Sequence, residues 1–415
     1  MRAWNAPDIP VLPGSGPVPR LYDTASARVV ELIPDNAVAT LYVCGITPYD
    51  ATHLGHAATY LAFDTVQRLW RDADCTVIYA QNVTDVDDPL LERATATGVD
   101  WRDLAAEQIE LFRGDMAALR ILPPEHYVGV TETIASVAEA VATLEREGIA
   151  YRVAAPDASD ADATDLYYDI AAGEGVAWHL GSESRLDRAT MMTLSTQRGG
   201  DPDRVGKRDR LDPLLWRAHR DGEPAWASPV GRGRPGWHIE CSIIALDRLG
   251  AEFTLQGGGS DLVFPHHEFS AAHAASLTGR PLARAYTHAG MVSYQGEKMS
   301  KSLGNLVLVS QLRSEGVDPR AIRLALLAHH YRSDWEWLPD ALPTAKARLD
   351  RWEASLLAPG RCSADGVLTR LRAVLAEDLN TPAALSMLDA AAQEGVDDPD
   401  LFRDMVDALL GIRLA

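Results

Sequence analysis

The sequence predicts an α/β protein in which a parallel sheet is interrupted by an inserted lobe and followed by a helical C-terminal region. Apolar runs at residues 38–44 and 75–81 have the length of buried strands, and residues 57–70 between them place apolar side chains on one helical face. This strand–helix–strand order is a βαβ unit, which makes the two strands parallel and brings ligands to their carboxyl ends. The alternation stops near residue 120 and resumes near residue 205, so the sheet is expected to come from two stretches of chain.

Helical and strand patterns predict the remaining elements in the same way. Apolar side chains recur at helical spacing along residues 103–119, 131–147, 237–249 and 266–277, and short strands are predicted at 166–170, 253–256 and 286–293. After residue 305 the pattern is helical, and Pro319 is expected to open one helix. The resulting domains are an N-terminal extension at 1–35, a split core at 36–120 and 205–290, an inserted lobe at 121–204, a region with a lysine-containing loop at 291–345 and a helical bundle at 346–415.

Composition excludes several classes of function. The chain has 415 residues with 39 Lys and Arg against 59 Asp and Glu, a formal charge of −20 that repels polyanions and disfavours a nucleic acid as partner. Its four cysteines form no C-x-x-C pair, which argues against a disulfide framework and favours a reducing compartment. No signal peptide, membrane span or heptad run is visible, so a cytoplasmic monomer without a membrane contact is expected.

Two short motifs indicate a binding site for phosphates. Residues 53–56 have the sequence HLGH, directly after the first predicted strand and at the start of a helix. His53 and His56 at a helix N-terminus, beside a glycine that allows close backbone approach, suit a triphosphate. Residues 298–302 have the sequence KMSKS, and Lys298 and Lys301 on such a loop can neutralise a developing pyrophosphate. Each motif alone is also compatible with an exposed, solvated segment.

Two cysteines and two adjacent histidines are candidates for a metal site. Cys44 ends the first predicted strand, Cys241 lies on the predicted helix at 237–249, and His266 and His267 follow a glycine-rich stretch. Two thiolates and one imidazole at one sheet edge form a donor set that favours zinc with an open fourth position. By spacing alone, the competing interpretation that both cysteines are small buried hydrophobes is stronger.

The HLGH and KMSKS motifs resemble the signatures of class I aminoacyl-tRNA synthetases, and longer strings resemble cysteinyl-tRNA synthetases over about residues 36–310. These strings are LYVCG at 41–45, NVTDVDD at 82–88, GWHIECS at 236–242 and DLVFPHHE at 261–268. The resemblance implies a Rossmann-like class I catalytic core. It also implies a zinc ion held by Cys44, Cys241 and His266, with His266 preferred to His267 from the family register.

One position departs from the cysteinyl-tRNA synthetase pattern. That family supplies a glutamate as fourth zinc ligand four residues beyond the first histidine, whereas this chain has Ser270, a poor zinc ligand. Three protein ligands then remain, with the substrate sulfur as the fourth or with Glu268 or His273 as replacements. Because a zinc–thiolate bond is available to cysteine and not to serine, the metal is expected to set amino-acid specificity.

A second family with the same catalytic core, the cysteine ligases of mycothiol biosynthesis, resembles nearly the whole chain. The resemblance includes GITPYDATHLGH at 45–56, QRGGDP at 197–202 and HHEFS at 266–270, although that family usually has glutamate where Gln197 stands. It implies that L-cysteine is activated with ATP, accompanied by Mg²⁺, as cysteinyl-AMP and transferred to the amine of glucosaminyl-inositol. The 113 residues after residue 302 contain 12 Lys and Arg against 17 Asp and Glu, too short and too acidic a tail for anticodon binding.

The family register implies roles for individual residues. Thr47, His53 and His56 are expected to hold the phosphates, and Lys298 and Lys301 are expected to neutralise the pyrophosphate in the transition state. Asp261 is a candidate general base for the acceptor amine, with a ribose-binding or helix-capping role equally open. The residues expected to contact the adenylate are Cys44, Gly45, Ile46, Thr47, Thr59, Asn82, Val83, Thr84, Trp237, Gly259, Ser260, Asp261 and Val292.

Two other functions stay open on the sequence. A minimal cysteinyl-tRNA synthetase shares the activation chemistry and requires a basic groove for tRNA. A non-catalytic adenylate-binding or zinc-binding paralogue, acting as a sensor, is disfavoured because it has no physical need for two separate phosphate motifs. A pyrophosphate-exchange assay separates the catalytic interpretations from the non-catalytic one.

Overall fold

Strands and helices alternate through most of the chain, and helices dominate its last quarter. The structure is a computed structural model that describes residues 1–50, 52–299, 304–358 and 360–415, with only the backbone of Lys298. Its strands are Arg20–Asp23 (β1), Arg28–Glu31 (β2), Val38–Val43 (β3), Thr76–Val83 (β4), His126–Gly129 (β5), Ala150–Ala154 (β6), Thr164–Tyr168 (β7), Leu214–Ala218 (β8), Gly233–Pro235 (β9), Leu255–Gly259 (β10), Tyr286–Ala289 (β11), Val292–Tyr294 (β12), Glu297–Lys298 (β13) and Trp335–Glu336 (β14). Its α-helices are Leu54–Asp72 (α1), Asp88–Thr97 (α2), Trp101–Ala118 (α3), Ile134–Arg146 (α4), Ile170–Gly173 (α5), Arg188–Gln197 (α6), Trp237–Leu249 (α7), Glu268–Thr278 (α8), Val309–Ser314 (α9), Pro319–Leu327 (α10), Ala341–Ser355 (α11), Ala364–Ala376 (α12), Thr381–Glu394 (α13) and Pro399–Leu410 (α14).

The parallel sheet predicted from the sequence is present and has five strands, in the spatial order β5–β4–β3–β10–β11. Every pairing in it is parallel. The chain moves from β3 outward to β4 and β5 and returns on the other side of β3 with β10 and β11, so the strand order reverses between β3 and β10. Sheets of this topology bind ligands at that reversal, beyond the carboxyl ends of the strands. Cys44 follows β3 there, and Gly259 ends β10.

Helix α1 connects β3 to β4 and carries the HLGH motif at its N-terminus. His53 caps the helix, because its Nδ1 accepts a hydrogen bond from the Gly55 N–H at 3.1 Å. From Tyr60 to Trp70 every residue of the helix is buried. The motif is therefore presented from a fixed element of the core.

Buried charges fix α1 to the C-terminal helices. Asp64 accepts hydrogen bonds from Arg68 at 2.8 Å and from Arg323 of α10. Arg68 also donates to the carbonyls of Asp407 and Ala408 in α14, at 3.0 and 3.1 Å. Burial alone would raise the pKa of Asp64, but Arg323 and Arg68 lower it below its usual value. A buried and fully bonded ion network of this kind depends on each of its partners.

The inserted lobe is built on a four-stranded antiparallel sheet in the order β6–β7–β8–β9. Its strands span residues 150–235, whereas β5 belongs to the central sheet. The lobe was expected at 121–204, but its sheet begins later, at residue 150, and extends further, to residue 235. Strands as short as β5 and β9 carry too few residues for periodicity to assign them to one sheet or the other.

The strand expected at 286–293 is two strands in different sheets, β11 and β12. Between them the Gly290 N–H donates to Tyr331 O at 2.7 Å, and a Cβ at this glycine would lie 2.3 Å from Ser333 O. This close approach of another segment requires glycine and redirects the chain. β12 then pairs with β13 and β14.

The N-terminal extension at 1–35 contains the hairpin β1–β2 and packs on the core. Trp4 is buried, and its indole N–H donates to Ile121 O at 2.7 Å. Thr24, in the turn of the hairpin, has its Oγ1 2.7 Å from Nδ1 of His288 in β11. The extension thus reaches the sheet edge where the candidate site lies.

The C-terminal region is helical, as predicted, and Pro319 is the first residue of α10. Helices α12, α13 and α14 share one hydrophobic core with α1 and the central sheet, through residues such as Leu371, Leu388 and Phe402. Across the part of the chain that the structure describes, no helix has both the length and the apolarity needed to cross a membrane.

Candidate active site

A cavity of about 510 Å³ opens where the strand order of the central sheet reverses. The predicted residues that line it are Cys44, Gly45, Ile46, Thr47, His53, His56, Thr59, Trp237, Gly259, Asp261 and Val292. The cavity is also lined by residues outside the expected adenylate contacts: Tyr49, Asp50, Tyr60, Leu262, Gly290, Met291, Met299 and Leu306. Most of these contribute apolar surface or backbone, for which the residue type alone carries no chemical signal.

The turn after β3 is held in place by the end of β4. Asn82 accepts a hydrogen bond from the Gly45 N–H at 2.8 Å and donates to Thr84 at 3.1 Å, while the Thr84 N–H donates to Ile46 O at 2.9 Å. A Cβ at Gly45 would lie 1.6 Å from Asn82 O, so only glycine fits. Asn82, Val83 and Thr84 are buried behind the wall of the cavity and support the turn that lines it.

The HLGH motif faces the cavity from the N-terminus of α1. The rings of His53 and His56 stack with 3.8 Å between their centroids. Thr59, one turn further along the helix, lies on the same wall, and its hydroxyl donates to Gly55 O at 3.2 Å. Two imidazoles and the positive end of a long helix thus border one volume, which suits an anion.

The KMSKS motif lies only partly within the described residues. The side chain of Lys298 and the whole of Lys301 are outside them. Met299 lines the cavity, and the segment that follows the motif runs beside the start of α1, where the Leu54 N–H donates to Val307 O at 3.0 Å. The segments that carry the two motifs are therefore neighbours in the fold.

The structure brings Cys44, Cys241 and His266 together, and His267 does not belong to this cluster. The ligand atoms of the three residues lie within 4.8 Å of one another, and all three side chains are buried. Burial raises the pKa of the Cys44 thiol, whereas the hydrogen bond with Cys44 lowers the pKa of Cys241, helped by His266. Two sulfurs and one imidazole in one buried volume match the donor set that zinc takes in proteins.

The metal cluster and the cavity are continuous. Cys44 belongs to both, since it is a member of the cluster and lines the cavity. Trp237, the first residue of α7, also lines the cavity, and its ring centroid lies 4.4 Å from that of His266. A ligand in the cavity can therefore reach the metal cluster without leaving the site.

A series of polar side chains in contact runs from Cys44 through His267 and His288 to Thr24. His267 Nε2 lies 3.2 Å from Cys44 Sγ, and Gln256 Nε2 lies 3.5 Å from the same sulfur. His267 Nδ1 is 2.7 Å from His288 Nε2, which continues the series to Thr24. Burial lowers the pKa of both histidines, that of His288 to about 3, so both rings are neutral at ordinary pH. Sequence reasoning gave no role to Gln256 or His288, because their contacts depend on strands distant in sequence.

None of the alternative fourth ligands belongs to the metal cluster within the described ranges. The Ser270 hydroxyl donates to His238 O at 3.1 Å. Glu268 is bonded to the inserted lobe, where it accepts a hydrogen bond from Trp178 Nε1 at 3.0 Å. His273 is fully buried on α8, and neither ring nitrogen has a hydrogen-bond partner. Among the residues that the structure describes, three side chains are therefore placed to bind a metal at this cluster.

Asp261 lies on the cavity wall in a short 3-10 turn, Ser260–Leu262, that follows β10. A Cβ at Gly259 would lie 2.6 Å from Asp261 Oδ1, so glycine at this position lets the carboxylate lie against the backbone. The same point is 4.0 Å from Thr59 Oγ1 of α1. The carboxylate thus borders the volume between β10 and the phosphate motif, whereas Ser260 does not line the cavity.

The backbone N–H and C=O of Val292 point to the edge of β12 opposite β14. On the other side, the Met291 N–H donates to Asp334 at 2.7 Å, and the carbonyls of Met291 and Ser293 accept from Trp335 and Trp337 at 3.1 and 2.8 Å. Because alternate residues of a parallel strand bond to opposite edges, the N–H and C=O of Val292 point away from β14. Val292 also lines the cavity.

Comparison with known proteins identifies related chains. A family model described as tRNA synthetases class I (C) catalytic domain matches residues 30–347. A protein of Clavibacter michiganensis subsp. michiganensis named L-cysteine:1D-myo-inositol 2-amino-2-deoxy-alpha-D-glucopyranoside ligase is 63% identical over 422 residues, which cover 100% of this chain and 99% of that protein. A protein of the same name from Thermobispora bispora is 58% identical and covers 100% of both chains.

Solved structures of synthetases share the fold. The methionyl-tRNA synthetase of Mycobacterium tuberculosis in complex with methionyl-adenylate matches with a TM-score of 0.63 at 18% identity, covering 90% of this chain and 92% of that chain. The LeuRS of Agrobacterium radiobacter K84 in a ternary complex matches with a TM-score of 0.61 at 12% identity, covering 90% and 84%. These likenesses confirm the predicted class I synthetase-like core. With the matches over the whole chain, they lead to one conclusion: the chain belongs to the class I (C) tRNA synthetase catalytic-domain family and, within it, to the L-cysteine:1D-myo-inositol 2-amino-2-deoxy-alpha-D-glucopyranoside ligases.

Proposed function

We propose that this protein is an ATP-dependent ligase that activates L-cysteine as cysteinyl-AMP and transfers the cysteinyl group to the amine of glucosaminyl-inositol. One observation carries the proposal: the buried cluster of Cys44, Cys241 and His266 opens into the same cavity as the phosphate motif at His53 and His56. A thiol-selective site and a nucleotide site therefore share one volume. The names of the full-length relatives support this acceptor.

Recognition of cysteine is assigned to the metal cluster. Cys44, Cys241 and His266 would hold a zinc ion, which when bound supplies a coordination position for the substrate thiolate that a serine hydroxyl fills poorly. A shape-selective pocket alone separates such near-isosteres by only about 10². The Trp237 ring beside His266 would close the apolar side of the amino-acid pocket.

Adenylation uses the cavity on the α1 side. The cysteine carboxylate attacks the α-phosphorus of ATP, and pyrophosphate leaves. His53 and His56 would bind the phosphates at the helix N-terminus, with Mg²⁺ accompanying ATP, and the family resemblance adds Lys298 and Lys301. The backbone N–H and C=O of Val292 would bind the adenine edge.

Amide formation consumes the adenylate. The sugar amine attacks the cysteinyl carbonyl carbon, the bond to the phosphate oxygen breaks, and AMP leaves. The amine must also lose a proton, and Asp261 on the cavity wall is our candidate to accept it. Its other assignment, a hydrogen bond to the ribose, predicts a different effect: Asp261→Asn would then weaken ATP binding and not only slow amide formation.

We further propose that the protein works as a monomer in the cytoplasm. The four cysteines are free thiols, and the proposed cluster needs Cys44 and Cys241 reduced. A reducing compartment maintains that state.

The deciding experiment supplies the purified protein with cysteine, ATP and either glucosaminyl-inositol or tRNA, followed by mass spectrometry of the products and zinc analysis of the same sample. We expect the cysteinyl amide of the sugar and no charged tRNA. Charging of tRNA alone would support the cysteinyl-tRNA synthetase interpretation instead. Absence of cysteine-dependent pyrophosphate exchange would support the non-catalytic paralogue.

A further inference from the structure

The QRGGDP segment of the inserted lobe contacts the catalytic core through one side chain. Arg198 follows helix α6, and its Nη1 donates to the carbonyl of Asp261 at 2.5 Å and to the carbonyl of Phe264. Gly199 has φ +82°, and a Cβ at Gly200 would lie 2.7 Å from Ser195 O, so two glycines end the helix here. The turn directs Arg198 out of the lobe and onto the segment that follows β10.

The other end of that turn is tied to the lobe sheet. Asp201 accepts hydrogen bonds from the Tyr167 hydroxyl of β7 and from Lys207 Nζ, the latter at 2.9 Å. Arg198 is therefore anchored on both sides, by α6 before it and by Asp201 after it. The lobe therefore determines where the Arg198 side chain lies.

The segment that Arg198 holds is a 3-10 turn followed by a π-helical stretch that is interrupted at Phe264. It passes from the 3-10 turn Ser260–Leu262 into Val263–His267, in which Phe264 has the extended torsions φ −142° and ψ 136°. An extended residue interrupts helical hydrogen bonding, so the carbonyls around it need partners from elsewhere. Arg198 supplies two such bonds.

A second set of lobe donors holds the end of the same segment. The Glu268 carboxylate is fully buried and accepts three hydrogen bonds from the lobe, from Trp178 Nε1 at 3.0 Å, the Gly181 N–H at 2.9 Å and the Ser184 N–H at 2.8 Å. Glu268 lies two residues after His266. The lobe therefore bonds both ends of a segment that carries Asp261 and His266.

We propose that the inserted lobe positions the segment from Asp261 to Glu268, with Arg198 and Glu268 as positioning residues that set the adenylate site and the metal site together. Neither residue belongs to the metal cluster or lines the cavity, so each acts through its neighbours. The proposal rests on the proposed function, because it takes Cys44, Cys241 and His266 as metal ligands and the cavity as the ATP site.

The first test is Arg198→Ala, with Arg188→Ala as matched control. Arg188 lies on the same helix with an exposed ion pair to Asp209. Zinc affinity is measured on metal-free protein by competition with a chromophoric chelator, and ATP affinity by calorimetric titration.

We expect Arg198→Ala to weaken zinc binding about 10- to 100-fold, the range for supporting residues around a metal, and to weaken ATP binding as well. Arg188→Ala should change neither, and Arg198→Lys should be intermediate because an ammonium lacks the planar fork.

The second test is Glu268→Gln, which keeps the shape but points an amide N–H₂ toward lobe donors. Because Glu268 is nearer to His266 than to Asp261, zinc binding should weaken more than ATP binding.

Wild-type affinities for zinc and ATP in folded Arg198→Ala would overturn the proposal. If Arg198→Ala does not fold, Arg198→Lys and Glu268→Gln decide in the same way. If the wild-type protein binds no zinc, the proposed metal site fails, and unchanged ATP affinity in the Arg198 variants would still overturn the positioning role.

Discussion

At the scale of single residues, the two thiols of the proposed metal cluster, Cys44 and Cys241, differ in the protein without metal. Burial raises the pKa of Cys44, while the hydrogen bond with Cys44 and the nearby His266 lower that of Cys241. Cys241 is thus the thiol that most readily presents a thiolate to zinc, the form in which cysteine binds metals.

Cys241→Ser is expected to lower the zinc content and to abolish the preference for cysteine over serine in pyrophosphate exchange. Zinc is measured by mass spectrometry of the metal, and exchange is measured with each amino acid. Cys362→Ser is the control, since Cys362 lies in the helical bundle beside Val396. An unchanged preference for cysteine in the Cys241 variant would refute the metal-based specificity.

His273 predicts a pH dependence of stability. Burial lowers its pKa from 6.5 to about 3, and neither ring nitrogen has a hydrogen-bond partner among the residues that the structure describes. Between pH 6.5 and about 3, His273 binds a proton in the unfolded state but stays neutral in the folded state. The free energy of unfolding therefore keeps its full value above pH 6.5 and decreases as the pH falls from 6.5 toward 3. His273→Leu should show a smaller loss of unfolding free energy than the wild type between pH 7.5 and about 5, measured by urea denaturation. The exposed His179→Leu variant is the control and should lose as much unfolding free energy as the wild type. An equal loss in His273→Leu and the wild type would assign the acid sensitivity to other groups.

At the scale of elements, α1 links the HLGH motif to the C-terminal helices. Arg323 of α10 and Arg68 of α1 share the carboxylate of Asp64, and all three side chains are buried. Removing one partner leaves a buried charge incompletely compensated, which costs about 3–5 kcal/mol. Arg323→Met should therefore lower the unfolding free energy by about that amount, measured in urea. Lys346→Ala breaks an exposed ion pair with Asp350 and should have no measurable effect.

At the scale of the whole molecule, the helical bundle and the central sheet are one folding unit. Residues of α12, α13 and α14 belong to the same hydrophobic core as β3 and α1, and Arg68 bonds to carbonyls of α14. A chain ended after Ser355 should lose cysteine-dependent pyrophosphate exchange and show a non-cooperative thermal transition by circular dichroism. A truncated protein that melts cooperatively and keeps the wild-type exchange rate would show that the bundle is dispensable.

The sequence by itself determined the elements with strong periodicity and the chemistry-bearing motifs. Helix α7 begins and ends where its pattern predicts, and β3 and α1 lie within a few residues of their expected bounds, because long amphipathic and buried runs dominate local conformation. The residues proposed to bind zinc and phosphates were also named from the sequence, but only through the family resemblance, because by spacing alone buried cysteines and an exposed histidine motif fit the pattern as well.

Only the tertiary structure decided how those residues meet. The division of 286–293 into two strands depends on Ser333 approaching Gly290. The family register already favoured His266 over His267, but only the fold shows that His266 lies with Cys44 and Cys241 in one buried cluster. The engagement of Glu268 by the lobe, which leaves three ligands at the cluster among the described residues, depends on Trp178. Each of these contacts joins segments distant in sequence, and local pattern carries no information about close approach between such segments because packing of the whole chain sets it.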